Sequence, residues 1–218
     1  MRWFVPRTIR HARDDSGMDR NWLPEGHTWD LHIVLGPRGR GAGDFTGGGW
    51  KLIWHTTESP WTWADDGASY LVREGKEPHF IIGGRRGTEH PVVHQMLPLD
   101  VAGRALQNNV GDGYQTNRAN AIQVEICAAA SEMATFGHYR ALANLAELIM
   151  HRREIPNWTH AEAGTVPTRL SDTEFVAKQG MLGHNQAPDN NHTDPGRGFR
   201  WNTLQRLITE IPDGGYAL

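Results

Sequence analysis

Three places in this 218-residue chain concentrate groups that bind metals or move protons. His55 follows the apolar run Leu52-Ile53-Trp54 and precedes Thr56-Thr57-Glu58, so its imidazole sits where a strand stops and a cleft begins. The segment from Gly183-His184 to Asp194-Pro195-Gly196 has almost no apolar residue to bury, yet it carries His184, His192, Asp189 and Asp194. Glu125 interrupts the run Ala121 to Cys127, and a carboxylate in mid-strand is costly unless it is paired, hydrogen-bonded or used. His55 with a histidine and a carboxylate from the loop makes three protein ligands, the usual complement of a catalytic zinc, whose fourth position is left to water. Two neutral imidazoles and one aspartate leave such a site with a net positive charge, which acidifies water and polarises a carbonyl. Each place also has a plainer reading. His55 can be an ordinary packed or surface histidine, the loop a solvated one, and Glu125 a residue on the solvent face, since Val124 and Ile126 point the other way.

The elements that must hold these residues are legible in outline. Lys51–His55 and His79–Ile82 read as buried strands, and Ala121–Cys127 as a third with partial period-two alternation. A short helix is expected over Trp63–Arg73. A longer one is expected over His138–Arg153, with Leu142, Leu145, Ala146 and Ile149 on one face. Ser171-Asp172-Thr173-Glu174 is a capping box that opens another helix, and Thr203–Ile211 a terminal one stopped by Pro212. Interleaved strands and helices without a strict repeat predict an α/β fold, a single-domain mixed β-sheet flanked by helices with the cleft at the strand ends. Residues 1–48 read as an irregular N-terminal arm ending in a glycine-rich loop, 49–211 as the catalytic domain and 212–218 as a short tail. The glycine-rich stretch 36–49 lacks the Lys-Ser/Thr ending of a phosphate loop and reads as a mobile connection.

Composition narrows the chemistry further. A formal net charge of -3 argues against broad docking on nucleic acid. No run approaches the roughly 20 apolar residues that span a bilayer, so no membrane insertion is expected. The single cysteine, Cys127, rules out an internal disulfide and a cysteine-rich zinc module, leaving any metal to the 12 histidines and the carboxylates. The N-terminus shows no apolar segment with a small-residue cleavage site, so no secretory signal is expected.

Taken together and in order, five segments resemble the zinc-dependent N-acetylmuramoyl-L-alanine amidases, a family that includes phage lysins, recycling amidases and peptidoglycan recognition proteins. They are Ile53-Trp54-His55-Thr56-Thr57, Pro78-His79-Phe80-Ile81-Ile82, His94 to Asp100, Asn117 to Ile126, and Gly183-His184 through Asp194-Pro195-Gly196. The wording is most similar to endolysins of phages that infect actinobacteria. The resemblance implies the peptidoglycan recognition protein fold and a zinc ion held by His55, His184 and Asp194. It makes Glu125 the general base and places His192 where the family often has an oxyanion-stabilising lysine. Arg118 and Asn120 become candidate contacts for a stem-peptide carboxylate, although loop residues of this kind more often satisfy backbone groups. Two positions depart from the family. Pro78 stands where many phage amidases carry a tyrosine, and Leu106-Gln107 where recycling amidases carry Trp-His.

The implied activity is cleavage of the amide between N-acetylmuramic acid and the first L-alanine of the peptidoglycan stem. The enzyme is expected to be a monomer made in the host cytoplasm and released to the wall by a holin. A cytoplasmic recycling amidase is the competing enzyme, and a peptidoglycan-binding module that does not cut is the competing class.

Overall fold

The computed structural model describes residues 21–23, 26–28, 31–60, 62–85, 88–106, 116–159 and 168–211. Residues 1–20 of the predicted arm, Gln107 and the predicted tail lie outside these. Among the described residues, seven strands form one mixed sheet in the order β1-β2-β5-β4-β6-β3-β7. They are β1 Gly26–Thr28, β2 Leu31–Leu35, β3 Lys51–Thr56, β4 Phe80–Arg85, β5 Thr88–Gln95, β6 Ala121–Ile126 and β7 Gly180–Gly183. The block β4-β6-β3-β7 is parallel throughout, β5 runs antiparallel to β4, and β2 lies parallel to β5. Four helices among the described residues flank the sheet: α1 Ala64–Arg73, α2 Tyr139–Arg153, α3 Asp172–Ala177 and α4 Trp201–Glu210. The mixed α/β sheet expected from the sequence is the fold observed.

The helices form where their termini were legible. Ser171 accepts the Glu174 backbone N–H while the Glu174 carboxylate accepts the Ser171 N–H at 2.9 Å, the reciprocal pair that starts α3. α2 ends at Glu154 in the left-handed region, with the basic residues His151, Arg152 and Arg153 in its last turn, where they complement exposed carbonyls.

Four of the described strands, β1, β2, β5 and β7, escape the sequence pattern, and the first two correct the expected irregular arm. Leu31 and Ile33 bury one side of β2, which pairs with β5 through His32↔Val92 to Leu35↔Gln95. The span 1–48 is therefore not irregular throughout, since its residues 31–35 are part of the sheet. β5 was masked by Pro91, which falls where the β4–β5 register shifts between Gly83 and Arg85, so the ladder loses no donor there. β7 is only four residues long and bounded by glycines.

The two sheet faces differ, and the difference positions the chemistry. Leu52, Trp54, Phe80, Ile82, Val124 and Ile126 point to α2 and α4 and build the main core with Leu142, Leu145, Ile149, Leu204 and Ile208. The opposite face carries Ile53 beneath Phe175 of α3, and Ile81 and Cys127 beneath Ala68 and Leu71 of α1. Between these two small clusters the same face presents His55 and Glu125. Fully buried polar groups brace the sheet below them. His79 Nδ1 accepts the Gln123 backbone N–H at 3.0 Å and its Nε2–H donates to the Val101 carbonyl at 2.9 Å, which fixes a neutral tautomer. Burial accordingly pulls the His79 imidazole down to about 3. Gln123 in turn accepts from Ala105 N–H and donates to Asn117, which exchanges both bonds with the backbone of Leu106.

Lys51 opens β3 on the site face and is wholly buried. Its Nζ donates to the carbonyls of Gly49 and Ala119 at 2.6 Å each and lies 5.0 Å above the Phe175 ring. Burial pulls its ammonium from 10.5 down to about 7. Above pH 7 the folded chain releases a proton that the unfolded chain keeps up to 10.5, so this group makes stability rise with pH. The window to observe is pH 7 to 9, because above 9.0 the buried Cys127 thiol, raised to about 12, acts in the opposite sense. Lys51→Met is expected to flatten the rise, worth about 1–3 kcal/mol across that window, in urea unfolding followed at several pH values. An unchanged slope would count against a neutralised lysine.

Candidate metal centre

Parallel pairing of β3 with β6 sets His55 beside Glu125, and residues in register on neighbouring strands share a face. β7 pairs with β3 only as far as Trp54↔Gly183, then turns away through the short 3₁₀ segment His184–Gln186. Beyond that point the β7-facing edge of β3 has no strand partner among the described residues. The Thr56 N–H, which would have entered the ladder, donates instead to Asp194 Oδ2 at 3.3 Å. The Asp194 carbonyl accepts the Asn185 N–H at 2.9 Å, which brings the two ends of the loop together. Buried Asn190 completes the loop. Its amide reaches the carbonyls of His184, Ala187 and Pro188, and its Oδ1 accepts the His192 N–H at 2.8 Å. A segment with little to bury by hydrophobicity is thus buried by side-chain to backbone hydrogen bonds.

His55, His184 and Asp194 converge, each 2–3% exposed, with one ligand atom apiece inside 4.8 Å. The two Nδ1 atoms are 3.1 Å apart, Asp194 Oδ1 is 3.2 Å from His184 Nδ1, and Oδ2 is 3.7 Å from His55 Nδ1. Metal–nitrogen and metal–oxygen bonds of about 2.0–2.1 Å in tetrahedral array space their ligand atoms about 3.3 Å apart, so this triangle fits such an ion. Burial, and then the neighbouring His184, holds the His55 imidazole well below its ordinary value, which keeps it a neutral ligand. Burial alone would raise Asp194, but hydrogen bonds from His184 and His192 and the charges of His184 and His55 hold its carboxyl far below the usual range. Two imidazole nitrogens and one carboxylate oxygen are a donor set that zinc takes.

Glu125 is 7% exposed. Burial, then the Asp194 charge and more weakly Glu58, raises its carboxyl well above the ordinary value, with Lys76 opposing. A cation at the triangle acts in the other direction and favours the ionised base. His192 lies on the rim, 45% exposed on its side chain, with its ring stacked on His184 at 4.1 Å and its Nδ1 3.4 Å from Asp194 Oδ1. The fold therefore brings together five of the seven residues singled out in the sequence: His55, His184, Asp194, Glu125 and His192.

Arg118 and Asn120 are not among them. Asn120 precedes β6 at the end opposite Glu125, about 16 Å away at strand rise. Its amide donates to the Gly48 carbonyl, and Arg118 Nε to the Asp44 carbonyl, so both tie down the glycine-rich run. They satisfy backbone groups, which was the plainer reading. Sequence reasoning missed Thr56 and Asn190. Their signals were the residue following a candidate ligand at a strand end, and the density of Asn in a loop with no apolar anchor.

A family model described as N-acetylmuramoyl-L-alanine amidase matches residues 50–197, two thirds of the chain and all five clustered residues. The chain belongs to this amidase family. Members of the family hydrolyse the amide that joins the muramoyl group to the stem peptide. Among solved structures, a selenomethionine derivative of AmpD is similar with a TM-score of 0.50 and 17% identity, over 88% of this chain and 98% of that one. LysCS, an endolysin amidase from Clostridium intestinale URNW, has a TM-score of 0.49 and 14% identity over 84% and 97%. The Staphylococcus aureus hydrolase AmiA in complex with its ligand has 0.48 and 14% over 85% and 83%. A search of curated proteins finds no match. The amidase match begins at Trp50 and ends at Arg197, so β2 and α4 extend the sheet and the core outside it.

A metal ion at this triangle must stabilise the amidase fold by mass action. Zinc added to metal-free protein is expected to raise Tm by several degrees in calorimetry, and His184→Ala to abolish the rise. A wild-type Tm indifferent to zinc would argue that the triangle is not a metal site.

Proposed function

We propose that this amidase is a zinc-dependent, endolysin-type enzyme that cuts the bond between N-acetylmuramic acid and L-alanine in intact cell walls. One observation carries the reading: a buried His55–His184–Asp194 triangle stands beside a buried carboxylate, Glu125, on adjacent strands. Zinc held by the three side chains supplies Lewis acidity and lowers the pKa of water at the site. Glu125 takes a proton from the attacking water and returns it to the leaving alanine nitrogen. Its burial suits it to both steps, because a carboxyl with raised proton affinity holds a proton long enough to deliver it. His192 lies on the solvent side of the triangle and offers a hydrogen bond to the carbonyl oxygen as negative charge develops there. Thr56 N–H and the His184 and His192 rings hold Asp194 in place.

The endolysin assignment rests on the similarity of the motifs to actinobacteriophage enzymes and on Leu106, where recycling amidases carry tryptophan. In this reading the protein acts as a monomer, is made in the host cytoplasm and reaches the wall through a holin. A non-cutting module is disfavoured because the complete ligand set and the base are both present.

Digestion of purified sacculi is expected to release alanine amino termini and no new reducing sugars. Cleavage of soluble anhydro-muropeptides with intact sacculi untouched would assign the recycling role. Chelation is expected to abolish turnover and zinc to restore it. Glu125→Gln should lower kcat by about 10²–10⁴-fold with zinc content unchanged. Equal loss of zinc would make Glu125 a ligand or a structural group and overturn its role as base.

A further inference from the structure

The chain leaves β3 through Thr56-Thr57-Glu58-Ser59, and this short exit has an unusual backbone. Glu58 holds φ at 55°, a left-handed conformation that side-chain-bearing residues adopt infrequently and at a cost. Such a conformation persists only where surrounding contacts over-determine it. Two do so here: Thr56 Oγ1 donates to Glu58 Oε1 at 2.5 Å, and the Thr57 and Ser59 hydroxyls pair at 2.7 Å. On the backbone side, Thr57 N–H closes on the Ile126 carbonyl of β6 at 2.9 Å. Thr56 N–H, which faces the other way along the alternating ladder, is thereby aimed at Asp194 Oδ2. One residue thus spends its two donors on two carboxylates, its side chain on Glu58 and its backbone on Asp194.

We propose that Thr56 and Glu58 form a positioning unit that fixes Asp194 for metal binding. The inference rests on the zinc reading of the triangle and assigns neither residue a contact with substrate. Its physical content is simple. Thr56 has one backbone donor for the aspartate, and the direction of that donor is set by the turn that follows. The Thr56 hydroxyl and the Glu58 carboxylate lock the turn, and the exposed Glu58 head costs little to hold there because it keeps contact with water. Without the lock, Glu58 relaxes toward ordinary backbone angles, the exit of β3 swings, and Asp194 loses the hydrogen bond that orients its Oδ2. Partners of this outer kind typically change metal affinity about 10–100-fold.

The test is zinc affinity, measured by chelator competition on the full chain, independent of turnover. Thr56→Val and Glu58→Ala are each expected to weaken zinc binding about 10-fold. Thr56→Ser and Glu58→Gln keep a donor and an acceptor in place, and are expected to retain wild-type affinity. The double variant Thr56→Val/Glu58→Ala should be no weaker than either single one, since both break the same link. Tm of the metal-free proteins separates positioning from general damage, and an unchanged Tm is expected at exposed Glu58. Should Thr56→Val fail to fold, Glu58→Ala and Glu58→Gln still carry the comparison. Wild-type affinity in Glu58→Ala, or additive losses in the double variant, would overturn the proposal alone. A wild-type chain with no zinc affinity would overturn the metal reading and this inference with it.

Discussion

Parallel pairing of β3 with β6 is the constraint on which the site depends. A one-residue slip would send either His55 or Glu125 to the face occupied by α2 and α4, where a charged or metal-binding group has no solvent and no partner. The register is held from both sides of the sheet at once. On one face Trp54 and Val124 sink into the main core, and on the other Ile53 lies beneath Phe175. Hydrophobic burial therefore fixes, residue by residue, which two polar groups meet. The chemistry is positioned by side chains that take no part in it.

The second ingredient is a strand that stops early. Because β7 ends at Gly183, β3 has a free edge where its last ligand-bearing turn emerges, and the loop from His184 to Asp194 folds back into that gap. The loop closes on hydrogen bonds from Asn185 and Asn190, the kind of network that is stable only when nearly complete. Such a network carries His184 and Asp194 on short, stiff backbone, which matters more for a metal triangle than for ordinary packing.

These two ingredients differ in how far the sequence reveals them. β3, β6, α2 and the capping box of α3 follow from periodicity and local signals, and the order of the motifs led to the family. The face that Glu125 occupies did not follow, because alternation says that it opposes Val124 without saying whether that side is wet. The answer came from α1 and α3, whose packing encloses that face. β2 and β5 were obscured by a polar flank and by Pro91, whose tolerance depends on a register shift that no local pattern encodes. Arg118 and Asn120 stood near Glu125 in sequence, but a strand separates its ends by its own length.

That last distance has a wider meaning. The glycine-rich run between β2 and β3 crosses the end of the sheet away from the metal triangle. Glu77 fastens it there through the Arg40 and Gly41 N–H groups, and Asn120 and Arg118 hold it further along. At Gly43 and Gly47 nothing lies within 4 Å of where a side chain would begin. The molecule thus has a reactive pole and a tether pole joined by rigid strands. A change in the tether run lies a full strand length from the metal triangle, so the dimensions of the reactive pole do not depend on it.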